Sequence, residues 1–113
     1  MSWERIADLT DLPVGQPVLA ELAEPVCVVR VDDDTVHAVH NVCSHQYYEL
    51  HEGYVDDCLI ECALHGSSFD LRTGSADSLP AVTPIPTYAV KIADGGVWVD
   101  VEQPTNDAPV PRH

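Results

Sequence analysis

The chain has 113 residues, 45% of them hydrophobic, and sets five Lys and Arg against nineteen Asp and Glu, for a net charge of −14. That length allows one small domain with limited apolar surface to bury, and the acidity excludes a nucleic-acid binder, which needs a basic footprint. No apolar run nears the roughly 20 residues that cross a bilayer, and no basic, apolar leader opens the chain, so the expected setting is soluble and cytoplasmic.

The first predicted strands lie in WERIADL (3–9) and VLAEL (18–22), separated by the turn-rich PVGQP. PVCVVRV (25–31) is a β-branched run, and the triple Asp at 32–34 turns it into VHAVHNV (36–42) as a hairpin. CLIEC (58–62) is a further short strand. LPAVTPIPT (79–87) holds Pro80, Pro84 and Pro86 and is neither helix nor central strand. YAVKI (88–92) and VWVDV (97–101) flank Asp94-Gly95-Gly96 as a second hairpin, with Val97, Val99 and Val101 on one face. After Val101 the chain reads EQPTNDAPVPRH, with a Pro-rich, flexible tail expected over 103–113. No segment keeps a helical period, so the fold class is all-β: one domain over 1–102, with an elaborated excursion at about 41–74.

That excursion carries the chemistry. Cys43 and His45 lie in a first loop, Cys62 and His65 in a second, giving C-x-H, sixteen residues, then C-x-x-H. Without a secretory leader, cysteines beside histidines point to metal rather than to disulfides. Zinc accepts two Cys and two His tetrahedrally, but its structural sites usually group two cysteines in one knuckle and two histidines in another. A [2Fe–2S] cluster with both sulfurs on one iron and both imidazoles on the other needs one ligand of each kind from each loop. The mixed pairs favour the cluster. Cys27 reads as a buried strand residue, Cys58 as a free thiol, and His37, His40 and His51 as surface or hydrogen-bonded side chains. Trp3 and Trp98 read as core or edge packing.

The two boxes, CSH and CALHGSSFDLRTG, resemble the Rieske iron–sulfur motif, and the likeness runs from about Val26 to Val101. The whole is similar to the small, free-standing Rieske ferredoxins of bacterial aromatic-ring-hydroxylating dioxygenase systems, such as those acting on biphenyl, naphthalene and carbazole. The resemblance implies a three-sheet antiparallel β sandwich with a small cluster-binding subdomain. It implies Cys43 and Cys62 on the inner iron and His45 and His65 on the outer one. It also places LPAVTPIP, with Pro80, as a loop near the cluster. Gly66 would help backbone N–H groups point at the sulfurs; Ser67 would donate to a bridging sulfide or cap a turn. Gln46, Tyr47 and Tyr48 would lie beside the tip, shaping docking or simply packing.

Respiratory members of the family add one Cys to each box and join the loops by a disulfide; here those places hold Tyr48 and Leu64. Their Tyr that donates to a ligand sulfur corresponds to Phe69, which has no donor. Both the lost donor and the acidity oppose reduction, which implies a potential near the low end of the Rieske range, about −150 mV. The implied function is a monomeric carrier of one electron from an NAD(P)H-dependent flavin-containing ferredoxin reductase to a terminal Rieske oxygenase. At 113 residues the chain leaves no room for an oxygenase's catalytic domain, so no enzyme activity of its own is expected. The alternatives are the Rieske-like small subunit of a nitrite reductase and a zinc-stabilised interaction module.

Overall fold

Strands organise nearly everything in the computed structural model, which describes residues 3–44, 48–63, 67–77 and 83–111. In chain order they are β1 (Glu4–Asp8), β2 (Pro17–Glu21), β3 (Pro25–Arg30), β4 (Val36–His40), β5 (Tyr54–Asp56), β6 (Leu59–Glu61), β7 (Ser68–Asp70), β8 (Thr87–Ala93) and β9 (Gly96–Pro104). Short 3₁₀ turns occupy Leu9–Asp11 and Leu50–Glu52. The larger sheet has the order β1-β9-β8-β4-β3-β2, the smaller β5-β6-β7, and both are antiparallel throughout. β4 and β8 share only two residue pairs, Ala38 with Tyr88 and Val39 with Thr87. The described strands thus form two antiparallel sheets, of six and three strands, the larger one narrowest at the β4–β8 pairing.

β3 shows why its sequence does not alternate. Val26 and Val28 face one apolar core, shared with Ala38 on β4 and Val97 and Val99 on β9. Cys27 and Val29 face the second core, shared with Ile60, Phe69, Leu71 and Ile85. A strand covered on both sides reads as a continuous apolar run. Burial of this kind stabilises by roughly 1.5–3 kcal/mol per large side chain. Cys27 belongs to this packing: burial pushes its thiol up to about 12, so it stays neutral.

The expected hairpins are present. Asp94 (φ 53°) and Gly95 (φ 73°) form the two-residue turn between paired Ala93 and Gly96, the positive-φ pair that a type I′ turn requires. At the β3–β4 turn the Asp32 carboxylate accepts the Asp34 N–H at 2.9 Å, so this acidic cluster is turn chemistry. Arg30 gathers the same corner, donating to the carbonyls of Leu9, Leu12 and Asp33. Trp3 and Trp98 flank Lys91, whose ammonium lies 4.7 and 5.6 Å from their ring centres, so both tryptophans pack around a cation, Trp98 from the interior strand β9.

Two features depart from the sequence reading. β5 and β7, three residues each, have no alternating apolar pattern to announce them. The segment read as tail from 103 instead begins as strand: β9 runs to Pro104, and the Thr105 N–H bonds the Thr87 carbonyl at 2.7 Å. Polar residues there are held by hydrogen bonds to backbone, which composition does not reveal.

His37 leaves β4 on the side of the small sheet, where the charges around it are Asp70, Arg72 and Asp32. Burial lowers its affinity for a proton, and Arg72 adds to that, while Asp70 and Asp32 oppose it. A folded-state value below the ordinary 6.5 means that the unfolded chain binds the proton more readily. His37 therefore costs no stability above about 6.5, and stability falls as pH drops from there through the lower folded value. The expected result is that His37→Gln loses less stability than wild type between about pH 7.5 and 5.5, read by urea denaturation at each pH.

Candidate metal centre

Two hairpins rise side by side to the candidate ligands. In the first, the Asn41 carbonyl accepts the Leu50 N–H at 2.6 Å, Val42 bridges Glu49, and the Cys43 N–H reaches the Tyr48 carbonyl at 3.0 Å. In the second, β6 and β7 pair up to Glu61 and Ser68, and the Cys62 N–H reaches the Ser67 carbonyl at 2.7 Å. Each cysteine thus takes the same place: it ends the rising ladder, and its N–H closes onto the residue five positions on.

Cys43 and Cys62 are each only 1% exposed and belong to one apolar core with Ile60, Phe69, Leu71 and Ile85. None of the four cysteines is in a disulfide, so no such bond joins the loops. The expected ligands His45 and His65 fall two and three positions past their cysteines, outside the described residues, as do Gln46, Tyr47, Gly66 and Pro80. Ser67 and Phe69 are both fully buried, Phe69 paired with Ile60 on β6. Tyr48 is half-buried against the same core, and its carbonyl closes the first loop.

The box FDLRTG has a local structural explanation. The Asp70 carboxylate accepts the Arg72 N–H at 2.8 Å and a fork of Arg72 Nε and guanidinium N–H at 3.1 and 2.9 Å. That pairing holds the Asp70 carboxyl below the usual carboxylate range. Leu71 turns into the core, and the Gly74 N–H returns to the Asp70 carbonyl at 2.7 Å.

Sequence reasoning missed Asn41 and Ser44. Asn41 is fully buried; its Oδ1 accepts the His51 N–H at 2.8 Å, and its Nδ2 lies 3.0 Å from His51 Nδ1. It bolts the base of the first loop to the 3₁₀ turn that follows. Replacing it with Ala removes both bonds and strands a buried N–H, so Asn41→Ala should cost about 2–3 kcal/mol, measured by urea denaturation. Ser44 donates from its hydroxyl to the Thr83 carbonyl at 2.5 Å, drawing the proline-bearing segment alongside the first loop.

Glu49, His51 and Glu52 also bring ligand atoms within 4.8 Å of one another. Their geometry does not suit a metal. The His51 N–H fixes Asn41 with its amide nitrogen toward Nδ1, so Nδ1 accepts and the neutral ring carries its proton on Nε2. Neither nitrogen then has a lone pair to give.

The donor set at Cys43 and Cys62 does suit one. Two thiols are buried where the strands end, and the sequence puts one histidine two or three positions after each. A soft two-iron centre uses such a donor set, with thiolates on one iron and imidazoles on the other. The acidic Glu61 directly precedes Cys62 and is exposed, adding negative charge near the site.

A family profile for the Rieske [2Fe-2S] domain matches residues 2–89. The ferredoxin component of biphenyl 2,3-dioxygenase from Rhodococcus jostii (strain RHA1) is 38% identical over 103 residues, 90% of this chain and 95% of that protein. The ferredoxin of carbazole 1,9a-dioxygenase from Nocardioides aromaticivorans IC177 superposes with a TM-score of 0.84 at 35% identity, covering 88% of this chain and 97% of that one. A chain in the complex of reduced oxygenase and oxidized ferredoxin in carbazole 1,9a-dioxygenase gives 0.83 at 30% identity, over 86% of this chain and all of that one.

Proposed function

The chain belongs to the Rieske [2Fe-2S] domain family, with ferredoxin components of aromatic dioxygenases among its relatives, and from that premise we propose how its residues serve as an electron carrier. It carries single electrons from an NAD(P)H-dependent flavin-containing ferredoxin reductase to the terminal oxygenase of an aromatic-ring-hydroxylating dioxygenase. It works in the cytoplasm as a monomer and catalyses no ring chemistry itself. Among the described residues no helix is long and apolar enough to cross a membrane.

The observation that carries this reading is the matched placement of Cys43 and Cys62, buried and free of disulfide, at the ends of two equivalent ladders. When bound, the [2Fe–2S] cluster supplies a site that accepts and releases one electron. Cys43 and Cys62 supply its thiolates and anchor it to the core; His45 and His65 supply the imidazoles. Ile60, Phe69, Leu71 and Ile85 exclude water from beneath the thiolates, being fully buried in the same core. Gly66, Ser67 and Pro80 would line the cluster, and Gln46, Tyr47 and Tyr48 would border the docking face.

The potential follows from charge and donors. Phe69 offers no hydrogen bond to sulfur, and one negative charge about 10 Å away, at an effective dielectric of about 40, opposes reduction by about 0.8 kcal/mol. For one electron that is about 35 mV, which salt reduces. A potential near the low end of the Rieske range, about −150 mV, lets a flavin reductase fill the carrier. Encounters of this kind bury under about 1,200 Å², so each contact is brief.

The test is reconstitution. Purified chain, a flavin reductase and a terminal oxygenase of the aromatic dioxygenase class, with NAD(P)H, should oxidise the aromatic substrate only when all three proteins are present. Turnover that is unchanged when the chain is omitted would exclude the carrier role.

A further inference from the structure

The segment 83–87 includes two prolines, which lack an N–H, so its seat depends on other groups. The carbonyls of Thr83, Ile85 and Pro86 find donors from outside the segment. Ser44 gives its hydroxyl to Thr83, the His40 N–H goes to Pro86 at 2.8 Å, and Asn106 Nδ2 goes to Ile85 at 2.9 Å. Asn106 also donates to the Thr73 carbonyl at 2.9 Å and accepts the Thr87 N–H at 3.2 Å. A primary amide has two donor hydrogens and an acceptor oxygen. Here all of them join the turn after β7 to segment 83–87.

The fit is close because Gly74 makes room. The Ile85 N–H bonds the Gly74 carbonyl at 2.9 Å, and a Cβ on Gly74 would lie 2.1 Å from the Ile85 carbonyl oxygen and 2.6 Å from Asn106 Nδ2. Beyond this contact, the Ile85 side chain is fully buried in the core that holds Cys43 and Cys62. At the far end, Thr83 is tied to Ser44, the neighbour of Cys43. The loops themselves have no disulfide between them.

We infer that Asn106 is a positioning residue of the cluster site: its amide seats segment 83–87 against the ligand loops, a role no covalent link between the loops provides. This rests on the cluster reading above. Asn106 sets how tightly the third segment closes over the site, and so the water and polarity the cluster meets.

The experiment compares wild type, Asn106→Ala and Asn106→Asp in the full chain. Asn106→Ala removes all three bonds; Asn106→Asp keeps the acceptor but turns a carboxylate oxygen toward two carbonyls. Hydrogen exchange, read on the iron-free protein, should speed about tenfold at the Ile85 and Thr87 amides in Asn106→Ala, while Val28 in β3 keeps its wild-type rate. In the iron-loaded protein, release of iron to a chelator should accelerate about tenfold, and more in Asn106→Asp, with a shifted midpoint potential in both. If Asn106 only anchors the C-terminal segment, iron release and potential will match wild type whatever happens to melting, and the inference falls. Wild type that binds no iron would instead remove the cluster reading itself; the exchange data would still report whether Asn106 seats the segment.

Discussion

Cys43→Ser and Cys62→Ser should each yield protein without bound iron or sulfide, while Cys58→Ser and Cys27→Ala keep the wild-type complement. The reason lies in placement. Cys43 and Cys62 end matched ladders and are buried in one apolar core, where a serine hydroxyl is a poor ligand for iron that favours soft thiolate. Cys27 is equally buried but lies within β3, its thiol held neutral by the packing around it. Cys58 is half-buried beyond the far end of β6 from Cys62. Iron and acid-labile sulfide assays per chain check this. Cys62→Ser with full iron would refute the assignment, and Cys58→Ser without iron would redirect it.

Phe69→Ala should be the most damaging change to the fold outside the ligands. Phe69 is fully buried, pairs with Ile60, bridges to Ala76, and packs in the core that carries both cysteines. Truncating a buried Phe costs about 3–5 kcal/mol through lost transfer energy and the cavity left behind. Against a total stability of about 5–15 kcal/mol, that leaves the iron-free chain marginal at room temperature. Urea denaturation of the iron-free protein measures it; a loss below about 1 kcal/mol would mean that the site collapses around the gap. Phe69→Tyr retains the ring and adds a donor, and its midpoint potential should rise, because a hydrogen bond to sulfur favours the reduced charge.

What the sequence revealed, and what it hid, follows from the range of the forces involved. The β3–β4 and β8–β9 hairpins were legible because the Asp cluster and Asp94-Gly95 encode their own turns. Spacing alone singled out Cys43 and Cys62 as candidates, and the fold buries both in one core. β5 and β7 were not legible: Tyr54–Asp56 and Ser68–Asp70 are strands because β6 pairs with both, not because their own pattern requires it. Asn41, Ser44 and Asn106 were hidden for a related reason. Each acts through hydrogen bonds to groups made neighbours by folding, with Asn106 lying 33 positions from Thr73 and Ser44 lying 39 from Thr83. The polar, Pro-rich composition around Asn106 pointed toward coil, and the backbone partners of Thr105 and Asn106 override it.

The most direct test of the central claim is iron and sulfide analysis joined to nitrogen hyperfine spectroscopy on the reduced protein, for wild type and for His45→Cys and His65→Cys. The account predicts about two irons and two sulfides per chain, with nitrogen coupling to the reduced iron that weakens in each variant. One metal ion per chain without sulfide, or a two-iron centre showing no nitrogen coupling, would contradict it.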